Sequence, residues 1–447
     1  MRYIPHTEQD IQQMLKAIGV SSIRELFQDI PDDLYLEGEL PIPPGLDEHA
    51  LFRRLSQLAS LNADTTRWVS FLGAGAYDHF IPAVVGTIIS RGEFLSAYTP
   101  YQPEASQGLL QSIFEFQTMV CELTGMEVAN ASMYDASTAL AESALMACQI
   151  TGRSKVVVSQ AVHPHYRQVL RTYLWTNSRQ LVEVPAREGI TDLDALAAVL
   201  DAETACVMVQ YPNFFGAIES LSPVSDAAHR VGALAIACVD PIALGVLKPP
   251  GEYDFDIVVG EGQGLGNAMG FGGPMLGLFA CKQAHLRRIP GRIVGQTTDA
   301  EGRRGFVMTL RTREQDIRRE KATSNICTNE ALCALASTVF LSSLGKSGFR
   351  ELAETCTQKA HYAAQQLTRI DGVRLKYPNA PFFKEFVLEL RRPADEVCDA
   401  LLQHHILAGL PLGVYDASMR HDLLVCVTET RTREEIDAFA DALRQVL

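Results

Sequence analysis

Apolar residues recur along this chain at two spacings, and the change from one to the other divides it. In EQDIQQMLKAIG, ALFRRLSQLASL and SQGLLQSIFEFQTMVCELTG they fall three and four residues apart, the spacing of a helix with one buried face. Thr7 stands where it can cap the first of these, with Gly19 near its end. Ser22 and Glu25 make a capping-box pattern before SIRELFQDI runs into Pro31, and Gly125 closes the third helix. With the Pro-rich loop ELPIPPGLDE between them, the early helices read as an arm over residues 1–70 that packs on a neighbour more readily than it forms a domain.

Beyond Tyr77 the two spacings alternate. KVVVSQ, QLVEVP, ACVMVQY, LAIACVD and DIVVG are β-rich runs, separated by the helical stretches HPHYRQVLRTYL, TDLDALAAVL and SPVSDAAHRVG. Strands apolar on both faces, alternating with helices, predict a parallel sheet covered by helices, with ligands beyond the carboxyl ends of its strands. This large domain is expected over residues 71–330. A second alternation, ELAETCTQKAHYAAQQL, FFKEFVLEL, ADEVCDALLQHHILAG, DLLVCVT and REEIDAFADALRQVL, follows the apolar helix EALCALASTVFLSSLG and predicts a smaller α/β domain over 331–447. A length of 447 residues is consistent with more than one core.

Charge narrows the function. The chain carries 39 basic and 53 acidic residues, a net charge of −14, which disfavours nucleic acid and anionic membrane surfaces as partners. Ten cysteines without a C-x-x-C pair fit buried reduced thiols, and the N-terminus MRYIPHTEQD has no apolar leader segment, so a soluble cytoplasmic protein is expected. There is no G-x-S-x-G elbow, H-E-x-x-H helix or Walker loop, and neither His163 with His165 nor His404 with His405 has the spacing of a helical metal site.

The stretch GEGQGLGNAMGFGGPM, Gly260 to Met275, puts seven glycines in sixteen residues after a strand, yet no frame of it matches a dinucleotide fingerprint. Asp240, ending LAIACVD, stands where pyridoxal-phosphate enzymes of the aspartate-aminotransferase fold keep the partner of the pyridinium nitrogen; a strand-terminal Asp capping the next turn is the plain alternative. In YDASTA, Asp135, Ser137 and Thr138 open a helix whose amides would take a phosphate or simply be capped. His163, directly after a strand, would stack on a planar ring or pack in the core. Such an enzyme also needs a lysine for its Schiff base, and none lies between Lys248 and Lys282. Two further segments stay open between a ligand-facing and a structural role: the polar, Pro-containing loop SAYTPYQPEASQG from Ser96 to Gly108, and the basic run Arg311 to Lys321 with Arg313, Arg318 and Arg319.

FLGAGAYDHFIPAVV, AYTPYQPEASQG, FEFQTMVCELTGMEVANASMYDASTALAE, AVHPHYRQVL, VQYPNFFGAIE, LRTREQDIRREKATSNICTNEALCALA and APFFKEF resemble the alpha subunits of the two-chain P-protein of the glycine cleavage system, over nearly the whole chain. The resemblance implies a fold type I pyridoxal-phosphate (PLP) transferase: a large domain, a smaller C-terminal α/β domain and an N-terminal helical arm. It implies glycine decarboxylation with transfer of the aminomethyl group to the lipoyl arm of H-protein, PLP being carried by the beta subunit in an alpha2-beta2 heterotetramer. The alternative is a structural or regulatory subunit that only stabilises the PLP-bearing chain. Counting back from Gly272-Gly273-Pro274, the family's lysine falls on Gln263 and its histidine on Gly262. Tyr98, Thr99, Tyr101, Gln102 and Glu104 are then the residues expected at the substrate cleft of the partner chain, while Ser137, Thr138, His163, Asp240 and Gln263 are expected as relics of a cofactor site.

Overall fold

Residues on the even and odd positions of the central strands face opposite cores, and this decides the architecture. In the computed structural model, which describes residues 5–36, 38, 40–95, 98–176 and 178–447, seven strands form the main sheet: β1 (Val128–Ala129), β2 (Lys155–Ser159), β3 (Gln180–Val184), β4 (Thr204–Tyr211), β5 (Leu234–Val239), β6 (Ile257–Glu261) and β7 (Gly277–Cys281). They lie in the order β1-β7-β6-β5-β4-β2-β3. From β6 through β3 neighbours are parallel, while β7 runs antiparallel to β6 and β1.

Val157, Val207, Val209, Ala235, Ala237 and Val258 point into one core. Val156, Val158, Met208, Ile236, Cys238 and Val259 point into the other, so the middle of each of these strands is apolar on both faces. The helix Ala136–Thr151 lies in the second core and Gln107–Thr124 in the first. The latter closes on Gly125 in the left-handed conformation, as its sequence predicts.

The C-terminal residues build a third core around an antiparallel sheet of β8 (Val373–Leu375), β9 (Glu385–Leu390), β10 (Leu410–Pro411) and β11 (Asp422–Cys426), ordered β8-β9-β11-β10. Two helices read separately from the sequence form one run, Ala331–Leu367, broken at Gly345 (φ 60°, ψ −177°). By length and composition this run is apolar enough to cross a membrane. Ala334 and Phe340 before the break and Ala353 after it nevertheless pack in the core of the main sheet, and the end of the run packs Ala360, Ala363 and Leu367 in the C-terminal core.

Spatially the chain divides into Met1–Ala63 and Asp64–Leu447. The first unit holds the helices Glu8–Ile18, capped by Thr7 and closed by Gly19, and Glu48–Ala59. SIRELFQDI, read from its sequence as a helix, is only a 3-10 turn over Ile23–Phe27 with no buried residue; a short helix is marginal in water without a buried face to stabilise it. Leu34, Ile42, Phe52 and Leu61 of this unit stand exposed. All ten cysteines are free; seven are buried, while Cys327 is exposed.

Candidate functional site

The carboxyl ends of β2, β5 and β6 deliver His163, Asp240 and the pair Glu261 and Gln263 to one end of the sheet, where the helix Ala136–Thr151 begins. Three elements from elsewhere close over them: the segment Gly73–His79, the residue Tyr166, and Lys384 and Glu385 at the start of β9. Hydrogen bonds, one ion pair and ring contacts join these groups.

Asp240 caps its own turn, Oδ1 accepting from the amide of Ile242 at 3.1 Å, and its Oδ2 lies 2.8 Å from Lys384 Nζ. Lys384 is fully buried. Its ammonium sits 3.4 Å above the ring of Tyr77 and donates to His79 Nε2 at 3.0 Å. An accepting Nε2 puts the His79 proton on Nδ1, which donates to Glu429 Oε2 at 2.7 Å. Burial and the neighbouring Lys384 charge hold the His79 pKa below its usual value. Burial works to raise Glu429, but the His79 hydrogen bond and the Phe80 amide overcome it and hold its carboxyl at about 2. Asp240 thus caps its own turn with one carboxylate oxygen and pairs with the chain's own Lys384 through the other.

His163 is buried, its Nε2 3.0 Å from the carbonyl of Ala74 and its Nδ1 accepting from the amide of His165. Its ring stacks on that of Tyr166, centroids 4.5 Å apart and 20° from parallel, with Phe214 at its edge. Burial lowers its pKa to about 4, so it is neutral near pH 7. The hydroxyl of Tyr166 lies against Gly75, whose φ of 98° and lack of a side chain let the two meet. Burial, then the surrounding Glu261, raises the Tyr166 pKa.

At the helix start, Asp135 accepts from the amide of Thr138 at 2.9 Å and from the hydroxyl of Ser137, while Thr138 completes the capping box. The amide of Ala136 goes to Glu261 Oε2 at 3.0 Å. Glu261 Oε1 accepts from the amides of Gln263 and Leu276, at 3.0 and 2.9 Å. Burial pushes this carboxyl up to about 8 in spite of the three donors. Gln263, also buried, exchanges bonds with the backbone of Tyr77, accepting from its N–H at 2.8 Å and donating to its carbonyl at 3.1 Å, and donates to the carbonyl of Asn267 at 2.7 Å. Glu385 accepts from the amide of Ala74 and the hydroxyl of Tyr77, and burial raises it to about 7.

Ser137, Thr138, His163, Asp240 and Gln263, singled out from the sequence, thus lie at the same end of the sheet. Sequence reasoning missed Lys384, Glu261, Tyr166, His79 and Glu385. Glu261 lies inside the glycine-rich stretch, adjacent to the strand end, and was the readable one. Glu385 opens β9 and Lys384 immediately precedes it, more than a hundred residues away, and FFKEF carries no sign of which side chains turn inward.

The loop from Tyr98 onward makes its contacts elsewhere; Ser96 and Ala97 lie outside the described residues. Tyr98, Tyr101, Gln102 and Glu104 are exposed. Arg292 Nη2 donates to the Tyr101 hydroxyl at 3.4 Å, and the Arg311 guanidinium lies 4.8 Å from its ring centroid. Around this ring, Thr99 Oγ1, Arg292 Nε, Arg311 Nε and Glu314 Oε1 are buried with no hydrogen-bond partner among the described residues. His79, Cys356 and Glu429 hold ligand atoms within 4.8 Å of one another, but both His79 nitrogens are engaged and the Lys384 ammonium adjoins them, an arrangement unsuited to a cation.

Comparison with known proteins gives a consistent result. The family model described as glycine cleavage system P-protein matches residues 1–443. A protein of Desulforamulus reducens named probable glycine dehydrogenase (decarboxylating) subunit 1 is 53% identical over 443 residues, 99% of each chain. A crystal structure of glycine decarboxylase (P-protein) of the glycine cleavage system, in inhibitor-bound form, superposes with a TM-score of 0.93 at 46% identity over 100% of both chains. Glutamate decarboxylase of Lactobacillus brevis, 14% identical, shares the fold with a TM-score of 0.69 over 93% of this chain and 95% of that one. The fold is that of the PLP-dependent enzymes of fold type I.

Proposed function

The chain belongs to the glycine cleavage system P-protein family, and from that premise we propose that it is the alpha subunit of glycine decarboxylase. With a beta subunit that carries PLP on a lysine, it decarboxylates glycine and passes the aminomethyl group to the lipoyl arm of H-protein, in an assembly of two alpha and two beta chains. The observation that carries this division of labour is the site itself. Where the cofactor of this fold would need a lysine, a counter-carboxylate, a ring slot and an anion cradle, each is already taken: Gln263 is tied to the backbone, Lys384 pairs with Asp240, Tyr166 stacks on His163, and Asp135 and Glu261 receive the helix amides. These residues do not fit PLP, and no step of the reaction is assigned to them.

What this chain contributes is the loop of Tyr98, Thr99, Tyr101, Gln102 and Glu104, presented to the partner's cleft. Supporting that reading, Tyr101 stands exposed on a platform of Arg292 and Arg311, and the orphaned polar atoms beneath it are groups that a second chain or its substrate would satisfy. The exposed Leu34, Ile42, Phe52 and Leu61 of the N-terminal unit are apolar surface of the kind a neighbour covers.

Glycine–bicarbonate exchange, measured for each chain alone and for the two together, tests the assignment: activity only in the mixture is expected. Tyr101→Phe and Glu104→Gln in the reconstituted pair should lower exchange and slow the reaction with H-protein. Unchanged kinetics would take the loop out of the site and leave a subunit that only stabilises its partner.

A further inference from the structure

Arg313 is buried and spends its guanidinium on backbone. Its Nε donates to the carbonyl of Leu310 at 3.0 Å, its Nη1 to that of Ile289, and its Nη2 to that of Gly291 at 3.0 Å. Three carbonyls from two separate segments converge on one side chain, which staples the turn at residues 287–291 to the stretch 310–323. Between the two segments is a cleft of about 320 Å³, lined by Arg287, Arg288, Thr312, Arg318, Lys321 and Thr323 together with Leu310 and Arg313.

The charges in this cleft are unusual for a chain of net charge −14. The carboxylates nearby in sequence are spent elsewhere: Asp299 and Glu301 on Arg303, Asp316 on Arg311, and Glu314 at 4.0 Å from Arg292. Glu320 is exposed and does not line the cleft. Among the described residues, Arg287, Arg288, Arg318 and Lys321 make no ion pair, and the Thr312 and Thr323 hydroxyls make no hydrogen bond within the chain. Four like charges on one small concave surface repel one another, a cost that binding an anion would reverse. Two non-glycine residues at positive φ, Leu310 (54°) and Arg319 (52°), lie in the stretch that carries Arg318 and Lys321.

We propose that this cleft is a binding site for a small, multiply charged phosphate anion, distinct from the cofactor-like pocket and independent of the function proposed above. Guanidinium forks and a flexible ammonium grip phosphate oxygens from several directions, and threonine hydroxyls supply neutral donors. The lining has no aromatic ring and one aliphatic residue, so recognition rests on the anion itself rather than on a base or an acyl chain.

Titration calorimetry with inorganic pyrophosphate, on the full-length chain alone and on the chain co-purified with its partner subunit, tests this. Saturable binding to both is expected, weakened about tenfold or more by Arg318→Gln and again by Lys321→Gln. These exposed positions tolerate glutamine, and unchanged melting temperatures would confirm it; Arg287→Gln from the other wall provides a second, independent variant. The absence of saturable binding at millimolar pyrophosphate, indifference to all three substitutions, or citrate binding as tightly as pyrophosphate would each overturn the assignment. So would loss of binding once the partner is present, which would make the cleft a docking surface for an acidic protein.

Discussion

The ammonium of Lys384 lies 2.8 Å from the carboxylate of Asp240, inside the core, with the face of Tyr77 beneath it. A lysine that leads into the C-terminal sheet has come to rest against a carboxylate just beyond a main-sheet strand, so the pair ties the two parts of the fold together through charge.

Removing one partner of a buried pair strands the other. Lys384→Met should destabilise the chain by about 3–5 kcal/mol. The double variant Lys384→Met with Asp240→Asn should cost much less than the two single changes summed. Urea unfolding of the four proteins measures this, and additive effects would mean that the two residues do not interact.

Stability should also peak on the acid side of neutrality. Glu429, with its ordinary value of 4.5 depressed to about 2 in the fold, contributes stability that is present above 4.5 and lost as pH falls towards 2. Glu261 and Glu385 act in the opposite sense: raised to about 8 and about 7, their contribution is complete below 4.5 and is lost as pH rises through those values. Each titrating group adds up to about 1.4 kcal/mol per pH unit to the slope. Urea midpoints across a pH series should fall between about pH 5 and 8, and Glu261→Gln should flatten that fall; an unaltered slope would show that Glu261 ionises normally.

Arg313→Met leaves the carbonyls of Ile289, Gly291 and Leu310 without their donor, at a cost of about 3 kcal/mol or more. Denaturant unfolding checks it. A loss below about 1 kcal/mol would mean that water replaces the guanidinium freely.

Two glycines at positive φ should respond differently to alanine. At Gly216 (φ 82°) an added Cβ would fall 2.0 Å from the carbonyl oxygen of Glu385, so β9 would have to move, and the loss should exceed about 3 kcal/mol. At Gly272 (φ 95°) nothing lies within 4 Å, and only the backbone preference is lost, about 1 kcal/mol. Melting temperatures of the two variants, compared with the parent, would expose equal effects if crowding were not the cause.

Mixing the purified chain with PLP and reducing with borohydride should leave no stoichiometric pyridoxyl lysine. Gln263→Lys alone should not change that, since Tyr166, Lys384 and Glu261 still fill the space. Peptide mapping by mass spectrometry is the readout, and stoichiometric labelling of the new lysine would show that the pocket opens readily.

Much of this was legible in the amino-acid order because it is local. Continuous apolar runs with β-branched residues specify buried parallel strands, caps such as Thr7 and Gly125 specify helix ends, and the lack of a lysine between Lys248 and Lys282 is read directly from the sequence. The exposed segment SIRELFQDI misled, since a helical pattern that buries none of its residues yields only a short turn. Which groups occupy the pocket was decided by tertiary structure. Lys384 meets Asp240, and Arg313 meets Ile289, through contacts between residues distant in the chain. Such pairings follow from which core each strand or turn packs against, and a buried charge takes the partner that packing places beside it.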